Sequence, residues 1–384
     1  MLRLHLSCVT AYGYARSGAI RPRRRRGRAE PRLTSAPRAP RHSRAADDPS
    51  GRPEAVSGAE VPLPGNVRRA DGRQGRSRID DHVASLPAVD RVFLVGAGRS
   101  LMGVQAAQYL LDTAAITPAA SYNSDEFFFR APASVGPGAL VVVLSGTGET
   151  PETVRAGEWA QERGAAVVGV TLKQEGPLAL ALDTAFVAQT GQGTQLVLQL
   201  LALAVLRRDG VDVTDRLEAL RALPSAMVAT VAAFEARAEE LAAAMKDVPV
   251  TYLVTSGSLM GPGQTFTTCY LQEMQWMHAA TINADEFFQG PFEVFDGETQ
   301  SLVFLAEDAT RPMGERARSF LDQYSGTTHY VDSRDLELPG IAAPQRALVA
   351  PLVYSTLVSR LAAHWAAVRG YALEGRRYMW QFAY

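Results

Sequence analysis

A loop rich in hydroxyl groups and glycine follows an apolar run near the middle of the chain. The run Leu-Val-Val-Val-Leu at 140–144 leads into Ser145, Gly146, Thr147, Gly148, Glu149 and Thr150. A helical pattern starts near Glu149, so free backbone amides, hydroxyl groups and the positive end of a helix dipole converge here. Such a loop can bind phosphate without a lysine. A plain capped strand-to-helix turn uses the same residue types, so the loop alone leaves both interpretations open.

A second loop is expected to face the same crevice. Residues 92–95 form an apolar run that ends at Gly96-Ala97-Gly98, and Ser100 opens the helical pattern that follows. Ser100 is therefore a further candidate phosphate ligand. A dinucleotide site is the weaker alternative, because the third glycine of that fingerprint is missing.

Glu273 is a candidate carboxylate for proton transfer. It lies within the apolar stretch 271–277, where burial would raise the pKa of a carboxyl group and suit it to act as a general base near neutral pH. From the residues alone, an ordinary charge on a helix surface is the favoured interpretation. His278 follows five residues later and is a second candidate, although a lone histidine on an apolar helix is often simply packed.

Neither a metal nor an organic cofactor is expected. After residue 79, the histidines His82, His278, His329 and His364 lack the spacing of metal ligands. The chain has only two lysines, Lys173 and Lys246, which argues against a lysine Schiff base.

The elements that would position these residues alternate between strand and helix. Strands are predicted at 92–95, 140–144 and 167–172, with helices at 100–111, 149–163 and 194–207. Strands that alternate with helices predict an α/β fold with a doubly wound parallel sheet.

Two short sequence words recur at nearly constant spacing. Residues 100–103, Ser-Leu-Met-Gly, return at 258–261, and residues 123–128, Asn-Ser-Asp-Glu-Phe-Phe, return as Asn-Ala-Asp-Glu-Phe-Phe at 283–288. The offsets of 158 and 160 indicate duplication of a whole domain. Glu126 and Glu286 occupy equivalent positions, so a structural role after the Asn-x-Asp turn is expected for both. In the second copy, the counterpart of the phosphate loop begins Ala306-Glu307-Asp308, whose carboxylates would repel phosphate.

These patterns divide the chain into five parts. We predict a disordered Arg/Pro-rich tail at 1–79, a first domain with the phosphate loop at 80–212, a helical connector at 213–246 interrupted near Pro224, a second domain at 247–370, and an aromatic C-terminal tail at 371–384.

Charge and cysteine content narrow the classes of partner. Residues 1–79 carry a net charge of +12, whereas residues 80–384 carry −13, so we expect no nucleic-acid partner for the body. The tail could serve as a targeting or polyanion-binding arm, or be a dispensable extension.

Two cysteines, Cys8 and Cys269, exclude a disulfide framework within one chain, and no apolar run reaches eighteen residues. A cytoplasmic protein without a membrane span is expected.

The residues resemble the SIS (sugar isomerase) domain family, whose phosphate loop reads Ser-x-Ser-x-Glu-Thr. The resemblance covers about residues 83–384, and Thr147 stands where the family has its second serine. The chain is similar to the isomerase half of glucosamine-6-phosphate synthase. It is more similar still to fructosamine-6-phosphate deglycases. The resemblance implies that Glu273 moves a proton on the C1–C2 unit of the sugar and that position 289, sixteen residues later, assists ring opening, often from a partner subunit.

Position 289 departs from the family, because the usual histidine is Gln289. Glutamine forms hydrogen bonds but cannot exchange a proton near neutral pH. Three possibilities remain. The substrate arrives with its sugar ring already open, water or His278 takes the role of the missing histidine, or the protein binds its ligand without turnover.

The resemblance implies a homodimer or higher oligomer that converts a fructosyl-amine 6-phosphate to glucose 6-phosphate and free amine. An aldose–ketose isomerase, an isomerising aminotransferase and a phosphosugar sensor that does no chemistry are the rivals. The aromatic tail would form a lid over the site or pack on a partner subunit.

Overall fold

The computed structural model describes residues 73–382, so most of the predicted tail lies outside the described residues. Helix α1 (Arg73–Ser85) begins within the range that the sequence assigned to that tail. Ile79 and Val83 of α1 are buried in the core. The Asp80 carboxylate also lies 2.8 Å from the guanidinium of Arg207. The folded body therefore starts a few residues earlier than predicted.

The first sheet has five parallel strands in the order β2-β1-β3-β4-β5. Its strands are β1 (Arg91–Gly96), β2 (Ala119–Asn123), β3 (Ala139–Leu144), β4 (Ala166–Thr171) and β5 (Ala185–Val187). Its helices are α2 (Arg99–Ala114), α3 (Ser124–Arg130), α4 (Pro151–Glu162), α5 (Pro177–Ala181) and α6 (Gly191–Arg208). The central strands consist mainly of valine and leucine because helices cover both faces of the sheet.

Helix α7 (Thr214–Met245) connects the first sheet to the second. The predicted interruption near Pro224 is wrong, since the helix runs through this residue. Leu220, Leu223 and Met227 are buried in the core on either side of Pro224. Packing of this apolar face compensates for the hydrogen bond that a proline inside a helix cannot donate.

The second sheet has four parallel strands in the order β7-β6-β8-β9. Its strands are β6 (Val250–Thr255), β7 (His278–Asn283), β8 (Gln300–Leu305) and β9 (Thr327–Asp332), and its helices are α8 (Met260–Gln264), α9 (Arg311–Tyr324) and α10 (Arg346–Arg369). A ten-residue π-helix, Thr265–Met274, continues α8. The prediction of an α/β fold with parallel sheets is confirmed, and the first four strands of each sheet follow one order.

Two helices are long and apolar enough, by length and composition, to cross a membrane. They are Thr214–Met245 and Ala343–Arg369, whose most apolar windows are 50% and 72% buried inside the protein. One core cluster contains side chains of α7, α10 and both sheets. The apolar side chains of these two helices accordingly pack into the core of the described part of the chain.

Helix α2 packs antiparallel against α8 and the π-helix, and this pairing connects the two sheets. The amide of Gln105 donates to the amide oxygen of Gln264 at 3.0 Å, and the guanidinium of Arg99 donates to the hydroxyl of Tyr270 at 3.0 Å. A side chain at Gly261 would collide with the carbonyl of Met102, so glycine permits the close approach. The first turn of α2 consequently meets the last turn of the π-helix.

Candidate functional site

The loop after β3 collects its hydroxyl groups around one point. The Oγ atom of Ser145 lies 2.9 Å from Oγ1 of Thr150 and 3.5 Å from Oγ1 of Thr147, and it accepts the amide of Gly148 at 3.1 Å. Ser145 is 1% exposed, whereas Thr147 is exposed. The buried serine thus fixes the loop, and the hydroxyl of the exposed Thr147 accepts the amide of Glu149 at 3.3 Å.

Helix α4 begins at Pro151, two residues later than predicted, with Thr150 as its N-cap residue. The side chain of Thr150 makes no capping hydrogen bond to the helix, although threonine commonly does so at this position. Its hydroxyl contacts Ser145 instead. The Thr150 hydroxyl thus contacts the loop and does not cap the helix.

Gly148 is required by the shape of the loop. Its φ of 69° lies in the left-handed region, and a Cβ atom there would come within 2.8 Å of Oγ1 of Thr171. The loop backbone can therefore lie against β4 only if position 148 is glycine.

Ser100 lies at the same edge of the sheet as this loop. It is the second residue of α2, and it is half-buried. Gly96, the last residue of β1, pairs with Leu144, the last residue of β3, so the segments that follow both strands start side by side. Parallel strands that end together present their loops to one crevice, where ligands of open α/β sheets bind.

Glu273 lies one residue before the end of the π-helix, and its side chain is 22% exposed. Segments of π-helix occur frequently at functional sites. The antiparallel pairing of Arg99 with Tyr270 directs the end of this helix toward the turn before α2, at the edge that holds Ser100. The end of the π-helix, which carries Glu273, therefore lies close to the start of α2, which carries Ser100.

The surroundings of Glu273 are positively charged and partly apolar. Its Oε1 atom lies 2.8 Å from the guanidinium of Arg376, whose side chain is 9% exposed. Burial raises the pKa of the Cys269 thiol to about 11, and the charge of Glu273 adds to the rise, while Arg99 and Arg376 oppose it. A carboxylate, a neutral thiol and two guanidinium groups therefore share one neighbourhood.

Arg376 is the site residue that sequence reasoning missed. It belongs to the C-terminal segment 371–382, and its guanidinium also donates to the carbonyls of Leu373 at 2.7 Å and Gly375 at 2.9 Å. Its signal in the sequence was an adjacent pair of arginines, Arg376 and Arg377, at the end of an otherwise acidic body.

The C-terminal segment is anchored on the end of the π-helix. The side chain of Gln275 donates to the carbonyl of Tyr371 at 2.9 Å, and Arg377 lies over the ring of Trp276 at 4.5 Å from its centre. Trp380 and Tyr378 remain 70% and 63% exposed. Of the two roles expected for this tail, the contact of Arg376 with Glu273 favours a lid over the site.

His278 and Gln289 lie at opposite ends of β7, and Glu273 precedes the end that begins with His278. His278 is the exposed first residue of β7, so the prediction that it lies on the apolar helix is wrong. Gln289 is exposed in a short 3-10 helix beyond the other end of β7. A six-residue strand spans roughly 17 Å at about 3.3 Å per residue. Glu273 and Gln289 thus lie at opposite ends of β7.

The corresponding crevice of the second sheet contains a carboxylate of the protein itself. Oδ2 of Asp308 accepts the amide and hydroxyl of Ser258 at 3.0 and 2.7 Å, and Oδ1 accepts the amide and hydroxyl of Thr310 at 2.9 and 2.6 Å. Ser258 is the counterpart of Ser100 in the predicted repeat. In the first sheet, the hydroxyl and amide donors face a crevice. In the second sheet, the equivalent donors are satisfied by the carboxylate of Asp308.

Between residues 73 and 382, no group of three or more histidine, cysteine, aspartate or glutamate side chains is arranged to hold a metal ion.

Comparison with known proteins identifies the class of the fold. The SIS domain family model matches residues 86–207, which carry the phosphate loop. Fructosamine deglycase FrlB of Bacillus subtilis is 30% identical over 306 residues, which is 77% of this chain and 93% of the relative. The chain therefore belongs to the family of SIS-domain proteins.

Two further relatives agree with this assignment. Fructoselysine 6-phosphate deglycase of Escherichia coli is 24% identical over 65% of this chain and 74% of its own length. A crystal structure from Bacillus subtilis, assigned to the phosphosugar isomerases, covers 82% of this chain and 98% of its own, with a TM-score of 0.77 and 28% identity.

Proposed function

We propose that the protein is a deglycase that converts a fructosyl-amine 6-phosphate to glucose 6-phosphate and a free amine. The observation that carries the proposal is the contact of Arg99, beside Ser100 at the start of α2, with Tyr270 of the π-helix that carries Glu273, at the edge of the first sheet where loop 145–150 begins. Relatives named as deglycases of fructosamine and of fructoselysine 6-phosphate support this assignment.

In the proposed complex, the phosphate is bound by the loop at the start of α4 and by the first turn of α2. Ser145, Thr147, Thr150 and Ser100 supply hydroxyl groups, and Gly146 and Gly148 let the backbone approach. Donors fixed in advance by the fold lose little entropy when the ligand binds.

Glu273 is the proposed general base. It removes a proton from C1 of the open-chain sugar, and the electron pair forms the C1–C2 double bond of an enaminol as O2 takes up a proton. Protonation of C2 then shifts the double bond to C1 and nitrogen. Water adds to this imine and releases glucose 6-phosphate and the amine. A half-buried carboxylate suits both proton transfers, because partial exclusion of water strengthens its interaction with the substrate.

The proposed assembly is a homodimer or higher oligomer of two tandem SIS-type domains. The repeated sequence words and the shared strand order support the duplication. The separation of Glu273 from Gln289 along β7 supports the oligomer, because Gln289 could then contribute only to the site of a partner subunit. The proposed boundaries are those predicted from the sequence, with α1 added to the first domain.

The test is release of glucose 6-phosphate from a panel of fructosyl-amino acid 6-phosphates, measured beside interconversion of fructose 6-phosphate and glucose 6-phosphate. Release from the panel supports the deglycase. Interconversion alone would identify an aldose–ketose isomerase. If neither occurs while sugar phosphates still raise the melting temperature, the protein is a sensor and the proposed mechanism is wrong.

Arg376 is expected to position the carboxylate of Glu273. Replacing Arg376 with alanine removes a charge-assisted hydrogen bond, so kcat should fall about tenfold while the Kd for fructose 6-phosphate changes less than about twofold. Arg376→Lys should restore part of the rate. Arg377→Ala, which removes the contact with Trp276, is the matched control. Equal losses in Arg376→Ala and Arg377→Ala would show that the tail acts only through packing.

A further inference from the structure

A lysine lies beside the phosphate loop, on the neighbouring loop between β4 and α5. Backbone hydrogen bonds join the two loops: the amide of Leu172 donates to the carbonyl of Gly146 at 3.1 Å, and the amide of Leu178 donates to the carbonyl of Gly148 at 3.0 Å. The backbone of residue 173 is therefore held next to the phosphate loop in any conformation of its side chain.

The ammonium group of Lys173 is paired with a residue of the phosphate loop itself. It forms an ion pair with Oε1 of Glu149, which stands between Gly148 and Thr150. The two side chains are 53% and 57% exposed. Ion pairs with this exposure contribute little to stability, so the lysine can exchange its partner at small cost.

A phosphate monoester in this loop would carry nearly two negative charges against hydroxyl groups and amides, all of which are neutral. A dianion bound at a partly exposed site gains from a mobile cation within reach, and lysine binds phosphate as a point charge on a flexible stem. The side chain of Lys173 is long enough to turn from Glu149 toward the hydroxyl groups on either side of it.

We infer that Lys173 leaves Glu149 when the sugar phosphate binds and contacts the phosphate directly, which makes it a specificity-determining residue for phosphorylated ligands. The inference rests on the proposed phosphate site and is independent of the reaction that follows. The competing arrangement is that Lys173 stays on Glu149 and only neutralises that carboxylate.

Calorimetric titration with fructose 6-phosphate and with fructose tests the inference without requiring turnover. Lys173→Met should weaken binding of fructose 6-phosphate about tenfold, as expected for loss of one charge-assisted contact, and should leave any binding of fructose unchanged. Lys246→Met is the matched control: it removes the other lysine, which pairs with Asp247 at the end of α7, and should have no effect.

The same substitution in a Glu149→Gln background separates the two arrangements. If Lys173 contacts the phosphate, Lys173→Met weakens binding about tenfold in this background as well. If Lys173 only neutralises Glu149, the substitution has no effect once Glu149 is uncharged, and the inference is wrong. A protein that binds fructose 6-phosphate through Lys173 but releases no glucose 6-phosphate would retain the inference and overturn the deglycase.

Discussion

Glu273→Gln is expected to abolish deglycase activity, with kcat lowered about 10³-fold and the Kd for fructose 6-phosphate changed less than about twofold. Glutamine keeps the shape of the side chain and its hydrogen bond to Arg376 but cannot accept the C1 proton. Single-turnover release of glucose 6-phosphate and calorimetric binding of fructose 6-phosphate measure the two quantities separately.

The control for Glu273→Gln is Glu126→Gln. Glu126 is exposed on α3, where it pairs with Arg130 in the first turns after the Asn123 cap. Its replacement should leave kcat within about twofold of the unmodified protein. A Glu273→Gln variant that retains most of the rate would assign the proton transfer to another group and remove the central step of the proposed mechanism.

Thr147→Asp is expected to weaken binding of fructose 6-phosphate by at least about 100-fold. In the predicted repeat, Thr147 corresponds to Asp308, the residue whose carboxylate accepts the hydroxyl and amide of Ser258. An aspartate at 147 would place a negative charge within the phosphate loop, and juxtaposed like charges cost several kcal/mol. Calorimetric titration measures the loss directly.

Thr147→Ser is the matched control for this substitution. Serine keeps the hydroxyl that Thr147 offers, so binding should stay within about threefold of the unmodified protein. Strong binding of fructose 6-phosphate by Thr147→Asp would show that the phosphate binds elsewhere, whatever the fate of the reaction.

The sequence predicted the first sheet well because its central strands are buried on both faces. Short runs rich in valine and leucine are typical of strands buried on both faces, and β1, β3 and β4 were predicted to within one residue at each end. The edge strand β2, Ala-Ala-Ser-Tyr-Asn, is only half-buried and carries no such signal.

The position of Glu273 relative to the phosphate loop could not be predicted from local patterns. The two lie more than one hundred residues apart in sequence, and only the packing of α2 on the π-helix brings the segment that carries Glu273 to the start of α2. That packing depends on close approach at Gly261, which looks like any other glycine in the sequence. Arg376 was missed for the same reason, since its partner is defined only by the fold.

The carboxylate of Asp308 is bound within the crevice of the second sheet. A carboxylate tethered to its donors acts at an effective concentration that free phosphate in solution does not reach. These hydrogen bonds satisfy the donors of the second sheet and connect the segment that follows β6 to the start of α9. Under the proposed function, only the donors of the first sheet are then open to the phosphate, and the equivalent donors of the second sheet contribute rigidity instead of ligand binding.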